Sequence, residues 1–208
     1  MQPHQPRLVL ATRNQDKVHE IQAVLAEMTL VILNMRDFPD FPVVDETGAT
    51  LTENAIKKAR EIHLATGLPA LADDTGLEVE ALNGRPGVCS SRYAGPAASY
   101  QDNVNRLLQE LNGVVEEQRN ARFRCVMTLA YDDQKVLSTE GVCSGTILFE
   151  PRGVNGFGYD PVFFVPEYRQ TFAEMPAAIK NRISHRGLAL ADMKRLIQYH
   201  YQEVFYEK

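Results

Sequence analysis

Two adjacent carboxylates, Asp73 and Asp74, follow the apolar run Ala70-Leu71-Ala72 and precede Thr75-Gly76. The run reads as a buried strand and Thr75-Gly76 as a turn, after which Leu77-Glu78-Val79-Glu80-Ala81-Leu82 alternates as a half-buried strand should. Side chains alternate along a strand, so the two carboxylates point to opposite faces and only one need enter a given pocket. A carboxylate in a pocket can bind a hard cation through oxygen or orient an attacking water. The same residues also suit plain turn chemistry, and stretches elsewhere in the chain decide between the two.

Near the start of the chain, Arg7-Leu8-Val9-Leu10-Ala11 reads as a strand running into Thr12-Arg13-Asn14-Gln15-Asp16-Lys17. A helix follows, with Val18, Ile21, Leu25 and Met28 on one face and Thr12 or Asn14 as its cap. Free N–H groups and the dipole at such a helix start attract phosphate. Lys17 in the first turn opposes the dipole, a small cost that an anion would remove. The loop lacks the glycines of a P-loop.

Gly153-Val154-Asn155-Gly156-Phe157-Gly158-Tyr159-Asp160-Pro161 interleaves three glycines with two aromatics and an aspartate. Glycine lets backbone approach a ligand, and Phe157 and Tyr159 offer flat faces to a purine ring. A loop packed by its own aromatics has the same composition. In Ala177 to Gly187, Lys180, His185 and Arg186 gather hydrogen-bond donors. Donors facing a base edge select a carbonyl oxygen over an amino group.

The remaining chain supplies the elements that position these residues. Leu30 to Leu33 reads as a strand, and Asp37 to Pro42 as an irregular loop leading to Asp45-Glu46-Thr47-Gly48. Thr50 and Glu53 form a capping box for a helix through Ala55, Ile56, Ala59 and Ile62, stopping near Gly67 and Pro69. Lys57, Lys58 and Arg60 read as its solvated face, with one able to reach a phosphate if the helix borders a cleft. Ser99 and Asp102 open a second helix with Val104, Leu107, Leu108 and Leu111 inside and Gly113 as terminator. Ala121 to Tyr131 and Val136 to Leu148 form a hairpin around Asp132-Asp133, and Val162 to Val165 is a buried strand. A last helix carries Leu188, Ala191, Leu196 and Ile197 inward. Nothing resembling a repeat or linker forces a domain cut, so residues 1–208 read as one domain.

The 208 residues are 44% hydrophobic and 24% charged, as in ordinary globular proteins. A net charge of -5 without any basic block argues against a nucleic-acid partner. The start MQPHQPR has no apolar leader region and no run reaches membrane-spanning length. Three cysteines without metal-type spacing read as reduced thiols of a cytoplasmic protein.

Taken together the sequence resembles the inosine triphosphate pyrophosphatase family. The matching pieces are LATRNQDKVHEI, TLTENAIKKA, LADDTGLEVEALNGRPGVCSSRYAG, GVNGFGYDPVFF and SHRGLAL, in the family's order. Each is a weak pattern alone, and the five in order are specific. The resemblance implies an α/β fold: a long mixed twisted sheet with flanking helices, two lobes around a central cleft. It implies Mg²⁺-assisted hydrolysis of dITP, ITP or XTP between the α- and β-phosphates by a homodimer. By that pattern Thr12, Arg13, Asn14, Gln15, Asp16 and Lys17 hold the triphosphate, with Asn14 and Lys17 foremost. Asp74 binds metal and serves as general base, Glu46 (or its neighbour Asp45) is the second metal carboxylate, and Thr75 touches substrate where many relatives have serine. Phe157, Gly158, Tyr159 and Asp160, completed by Lys180, His185 and Arg186, form the base pocket. Arg13 stands where relatives often have glycine. Guanine shares the 6-oxo group, and these donors do not separate it from hypoxanthine. Rival readings are a related pyrophosphatase for modified pyrimidines or 7-methyl-GTP, a non-catalytic nucleotide sensor, and a structural protein whose motifs are only turns and caps.

Overall fold

The computed structural model describes residues 5–206, so the very start of the segment read for a leader lies outside the described residues. The chain forms two compact units: Met1–Asp74 with Val126–Gly141 and Arg186–Lys208, and Thr75–Cys125 with Val142–His185.

The first unit begins with β1 (Arg7–Leu10), α1 (Gln15–Leu25) and β2 (Val31–Leu33). β1 pairs in parallel with β2, Val9 opposite Leu33, and in parallel with β3 (Ala70–Val79), Val9 opposite Ala70. Asn14 rather than Thr12 caps α1, its side chain accepting the N–H groups of Asp16 and Lys17. The helix ends at Leu25, so Met28 lies beyond it. α2 (Leu51–Thr66) starts on the Thr50–Glu53 capping box and ends at Gly67, whose φ of 65° is the left-handed turn that favours glycine. Val9, Ala11, Leu33, Ala59, Ile62, Ala70, Ala72 and Ala130 form the core here. The small residues on α2 and the strands let helix and sheet approach closely.

In the second unit, α3 (Tyr100–Glu110) opens on the Ser99–Asp102 capping box. β4 (Pro86–Gly87) pairs antiparallel with β3, and β7 (Phe163–Val165) pairs antiparallel with β8 (Gln170–Thr171). Leu77, Val79, Leu107, Leu111, Phe123, Phe163 and Phe172 anchor this core. α4 (Ala177–Ile183) follows β8. β5 (Asn120–Ala130) and β6 (Val136–Ile147) contribute residues to both units, and the strands pair in the order β2-β1-β3-β5-β6-β7-β8. Mixed parallel and antiparallel pairing with helices in each unit is the α/β class the sequence implies.

Two expectations change. Thr75-Gly76 is no turn: β3 runs unbroken from Ala70 to Val79, and Glu80–Leu82 is a 3₁₀ turn instead of strand. The glycine serves a close approach, since a Cβ on Gly76 would lie 2.7 Å from the Gly87 carbonyl oxygen. The last long helix, α5 (His185–Tyr199), also has a different phase. Ala189, Leu190, Met193 and Ile197 are buried, whereas Leu188 is 41% exposed. Both patterns have helical spacing, and hydrophobicity alone does not choose between adjacent faces. α6 (Tyr201–Phe205) closes the described chain. No helix of the described residues is long and apolar enough to cross a membrane.

Candidate active site

In the first unit, β3 directs its two aspartates to different helices, as strand alternation requires. Asp73 Oδ2 accepts from Lys17 Nζ of α1 at 2.9 Å and from Arg186 of α5 at 3.2 Å. Arg186 also donates to Glu20 at 2.5 Å. Burial alone would raise the Asp73 carboxyl, but Lys17, Arg186 and Lys58 reverse this and hold it far below the usual carboxylate range. Asp73 is thus a fixed anion that positions two cations.

Asp74 faces α2. Its Oδ1 accepts from Lys58 Nζ at 3.1 Å and its Oδ2 from Asn54 Nδ2 at 3.1 Å. Lys58 also donates to Glu46 Oε1 at 2.8 Å and to the Asp73 carbonyl at 2.6 Å. Burial raises the Asp74 pKa above the ordinary value, against the pull of Lys58 and with the help of Glu46. For Lys58, burial works against the charge, yet Asp74, Asp73 and Glu46 hold its pKa above the ordinary lysine value. Asp45 is used through its backbone, the carbonyl accepting from Lys57 Nζ at 2.7 Å.

The phosphate stretch is already organised. Asn14 Oδ1 takes the N–H groups of Asp16 (2.9 Å) and Lys17 (3.3 Å), so these two donors of the helix start are engaged by the cap. Asn14 N–H donates to Thr12 Oγ1 at 3.2 Å, and exposed Arg13 reaches the Phe41 carbonyl at 2.9 Å. Gln15 and Asp16 are half-buried in the first turn of α1.

The donor set fits a divalent cation. Glu46 and Asp74 each place an oxygen within reach of the one ammonium of Lys58, so the two carboxylates face a common space. Two carboxylates are what Mg²⁺ commonly takes from a protein when phosphate oxygens and water complete its shell. Among the described residues no group of three or more His, Cys, Asp or Glu is arranged to hold a metal alone.

In the second unit, Asp160 closes the glycine-rich turn. It accepts the Phe157 N–H at 2.8 Å and the Lys180 ammonium at 2.5 Å, and is 3% exposed. Gly156 has φ 74° and a Cβ there would strike the Asp160 carboxylate. Lys180 lies 4.8 Å from the centre of the half-buried Phe157 ring, a cation–π contact. Tyr159 is different from expectation: its ring is 4% exposed in the core and its hydroxyl donates to the Ser90 carbonyl at 2.9 Å. It braces the turn from beneath, whereas Phe157 is half-buried, with the Tyr100 ring centre 5.8 Å away. Gly158, with φ 62°, carries the chain between the two rings. His185 stacks on Phe123 with ring centres 4.5 Å apart, and Thr75 is half-buried on β3.

Sequence reasoning missed Asn54 and Glu20, and it did not separate Lys58 from Lys57 and Arg60 as the cation that could turn inward. Asn54 and Lys58 are one helical turn apart, in phase with buried Leu51, Ala55, Ala59 and Ile62. That phase marks Lys58 as inward-facing, where reading the three cations as one solvated face does not. Glu20 had no such signal, because a glutamate beside Ile21 reads as ordinary helix surface.

The Ham1 family model matches residues 8–196. The dITP/XTP pyrophosphatase of Geobacter sulfurreducens is 52% identical over 188 residues, covering 90% of this chain and 94% of that protein. The same enzyme of Bacillus anthracis is 45% identical over 92% of this chain and 96% of its own. Among solved structures, a HAM1 protein from Coxiella burnetii superposes with a TM-score of 0.85 at 43% identity, covering 93% of this chain and 99% of that one.

Proposed function

The chain belongs to the Ham1 family, and from that premise we propose that it hydrolyses the noncanonical purine nucleoside triphosphates dITP, ITP and XTP to the monophosphate and pyrophosphate. The observation that carries this reading is the convergence of the Asp74 and Glu46 carboxylates on the single ammonium of Lys58. It accords with the named activity of the relatives.

Each residue then has a task. Lys17 and Asn14, with Thr12 to Asp16, hold the triphosphate. Asp74 takes the proton of the attacking water, its carboxylate held in place by Lys58 and Asn54. Lys58 orients that carboxylate and adds positive charge beside the phosphates. Glu46 and Asp74 hold Mg²⁺, which when bound supplies neutralisation of charge on the phosphate oxygens. The need for a cation follows from the charge count. Lys17, Lys58 and Arg186 face Glu20, Glu46, Asp73 and Asp74, a surplus of one negative charge before a triphosphate arrives.

For the base, Phe157 supplies the stacking face. Lys180, held by Asp160, and His185 supply donors that match a 6-oxo group and oppose the 6-amino group of adenine, whereas the Arg186 guanidinium is committed to Asp73 and Glu20 in the first unit, away from the base-pocket role the resemblance implied. Thr75 touches the substrate beside Asp74. The protein is further proposed to work as a homodimer in the cytoplasm, with no nucleic-acid or membrane partner. Cys89, Cys125 and Cys143 form no disulfide among the described residues, in keeping with that compartment.

Pyrophosphate release from ITP, XTP, dITP, GTP, ATP and dUTP, with and without Mg²⁺, tests the proposal. Metal-dependent release chiefly from ITP, dITP and XTP, with the matching monophosphate, is expected. Release chiefly from dUTP would move the protein to the related pyrimidine enzymes, and binding without release would make it a sensor.

A further inference from the structure

Asn54 is fully buried on α2, and its amide is engaged at both ends. Nδ2 donates to Asp74 Oδ2 at 3.1 Å, and Oδ1 accepts the backbone N–H of Gly48 at 2.8 Å. A buried amide is costly unless satisfied, and here both bonds go to the segments that carry the two candidate metal carboxylates. Gly48 lies two residues beyond Glu46 in the sequence. Its approach is tight: a Cβ there would come within 2.7 Å of Asn54 Oδ1 and 2.8 Å of Glu53 Cβ. Glycine at this position is what lets the backbone close on the amide.

On the other side, Lys58 holds Asp74 Oδ1. Asn54 therefore fixes the second oxygen, and with it the plane of the carboxylate. Lys58 carries a charge that a metal or phosphate can compete for. The Asn54 amide carries none, and its second bond, to the Gly48 N–H, involves no ionised group.

We propose that Asn54 is a positioning residue: by tying the Gly48 turn to Asp74 it registers Glu46 against Asp74 as a preformed pair for a divalent cation. The inference rests on the reading of those two carboxylates as the metal ligands. It assigns to a neutral side chain the orientation of groups that otherwise repel one another.

The test uses two variants, Asn54→Ala and Gly48→Ala, with Mn²⁺ alone as the probe, followed by the electron paramagnetic resonance signal of the free ion. Steady-state kinetics on ITP and thermal unfolding accompany it. Both variants should bind Mn²⁺ about tenfold or more weakly, as loss of outer-shell partners commonly does. Asn54→Ala should lower kcat on ITP by roughly 10- to 100-fold while KM changes little. The double variant should lose no more than the worse single one, because both cut the same connection. If Asn54→Ala does not fold, Gly48→Ala alone decides. Wild-type Mn²⁺ affinity in a folded variant, or a fall in thermal midpoint alone, overturns the proposal. If the unaltered protein releases no pyrophosphate while Mn²⁺ binding still depends on Asn54, the proposed reaction fails and the positioning role stands. If the protein is active and both variants keep Mn²⁺ affinity, the positioning role fails alone.

Discussion

Asp73 and Asp74 are neighbours in sequence, yet their surroundings drive their carboxyls in opposite directions. Asp73 is buried among Lys17, Arg186 and Lys58 and stays charged, whereas burial, opposed by Lys58 and aided by Glu46, raises Asp74. Only the second shares the Lys58 ammonium with Glu46 and so faces the proposed metal and water. Asp74→Asn should cut turnover by about 10²- to 10⁴-fold, the usual worth of a general base, while nucleotide binding by calorimetry stays near normal. Near-normal turnover would remove Asp74 from that role. Lys17→Ala removes a charge-assisted contact worth about 1.5–3 kcal/mol, so triphosphate affinity should fall roughly tenfold or more while nucleoside affinity is unchanged. Equal weakening of both would sink the phosphate assignment. The sequence was legible here where charge and spacing pointed inward together, as in Asp74. Lys58 needed the phase of α2, and Glu20 needed the ion pair with Arg186, which spans 166 residues of chain. No local pattern encodes a contact of that separation.

At the scale of elements, capping residues gave helix starts well: Asn14, Thr50 and Ser99 all cap where local chemistry says they should. Glycine was harder, because the same residue serves turns and close approaches. Gly76 belongs to the second kind, and the strand continues through it. Gly76→Ala should therefore destabilise by about 1–3 kcal/mol, the usual cost of overpacking, measured by urea unfolding; an unaltered midpoint would mean the β3–β4 contact gives way freely. Tyr93 shows how a loop and α3 are joined, its hydroxyl donating to Glu110 at 2.6 Å. Burial, then that hydrogen bond, raise its pKa from 10.0 to about 12. The unfolded chain loses this proton first, so the contribution is complete below pH 10.0 and is lost as pH rises towards about 12. Urea midpoints should fall across that window in the wild type and fall less in Tyr93→Phe. Parallel declines in the two proteins would count against it.

For the whole molecule, the chain passes between its two units at residues 74–75, 125–126, 141–142 and 185–186, inside β3, β5, β6 and α5. A crossing inside a continuous strand or helix has no linker to mark it, which is why nothing in the sequence forced a cut in the single two-lobed domain that the resemblance implied. The oligomeric state is likewise written in surface rather than in linear pattern. The charge balance says how a homodimer should respond to salt. Each chain carries a net charge of -5, so association brings like charge together, and salt screens that repulsion. A homodimer held by apolar burial should persist or strengthen as salt rises, whereas one held by surface ion pairs should loosen. Sedimentation at micromolar concentration should show a species of twice the 23.4 kDa chain mass, with an undiminished dimer fraction from low to high salt. A single-chain species throughout would overturn the dimer, and dissociation only at high salt would assign its interface to ion pairs.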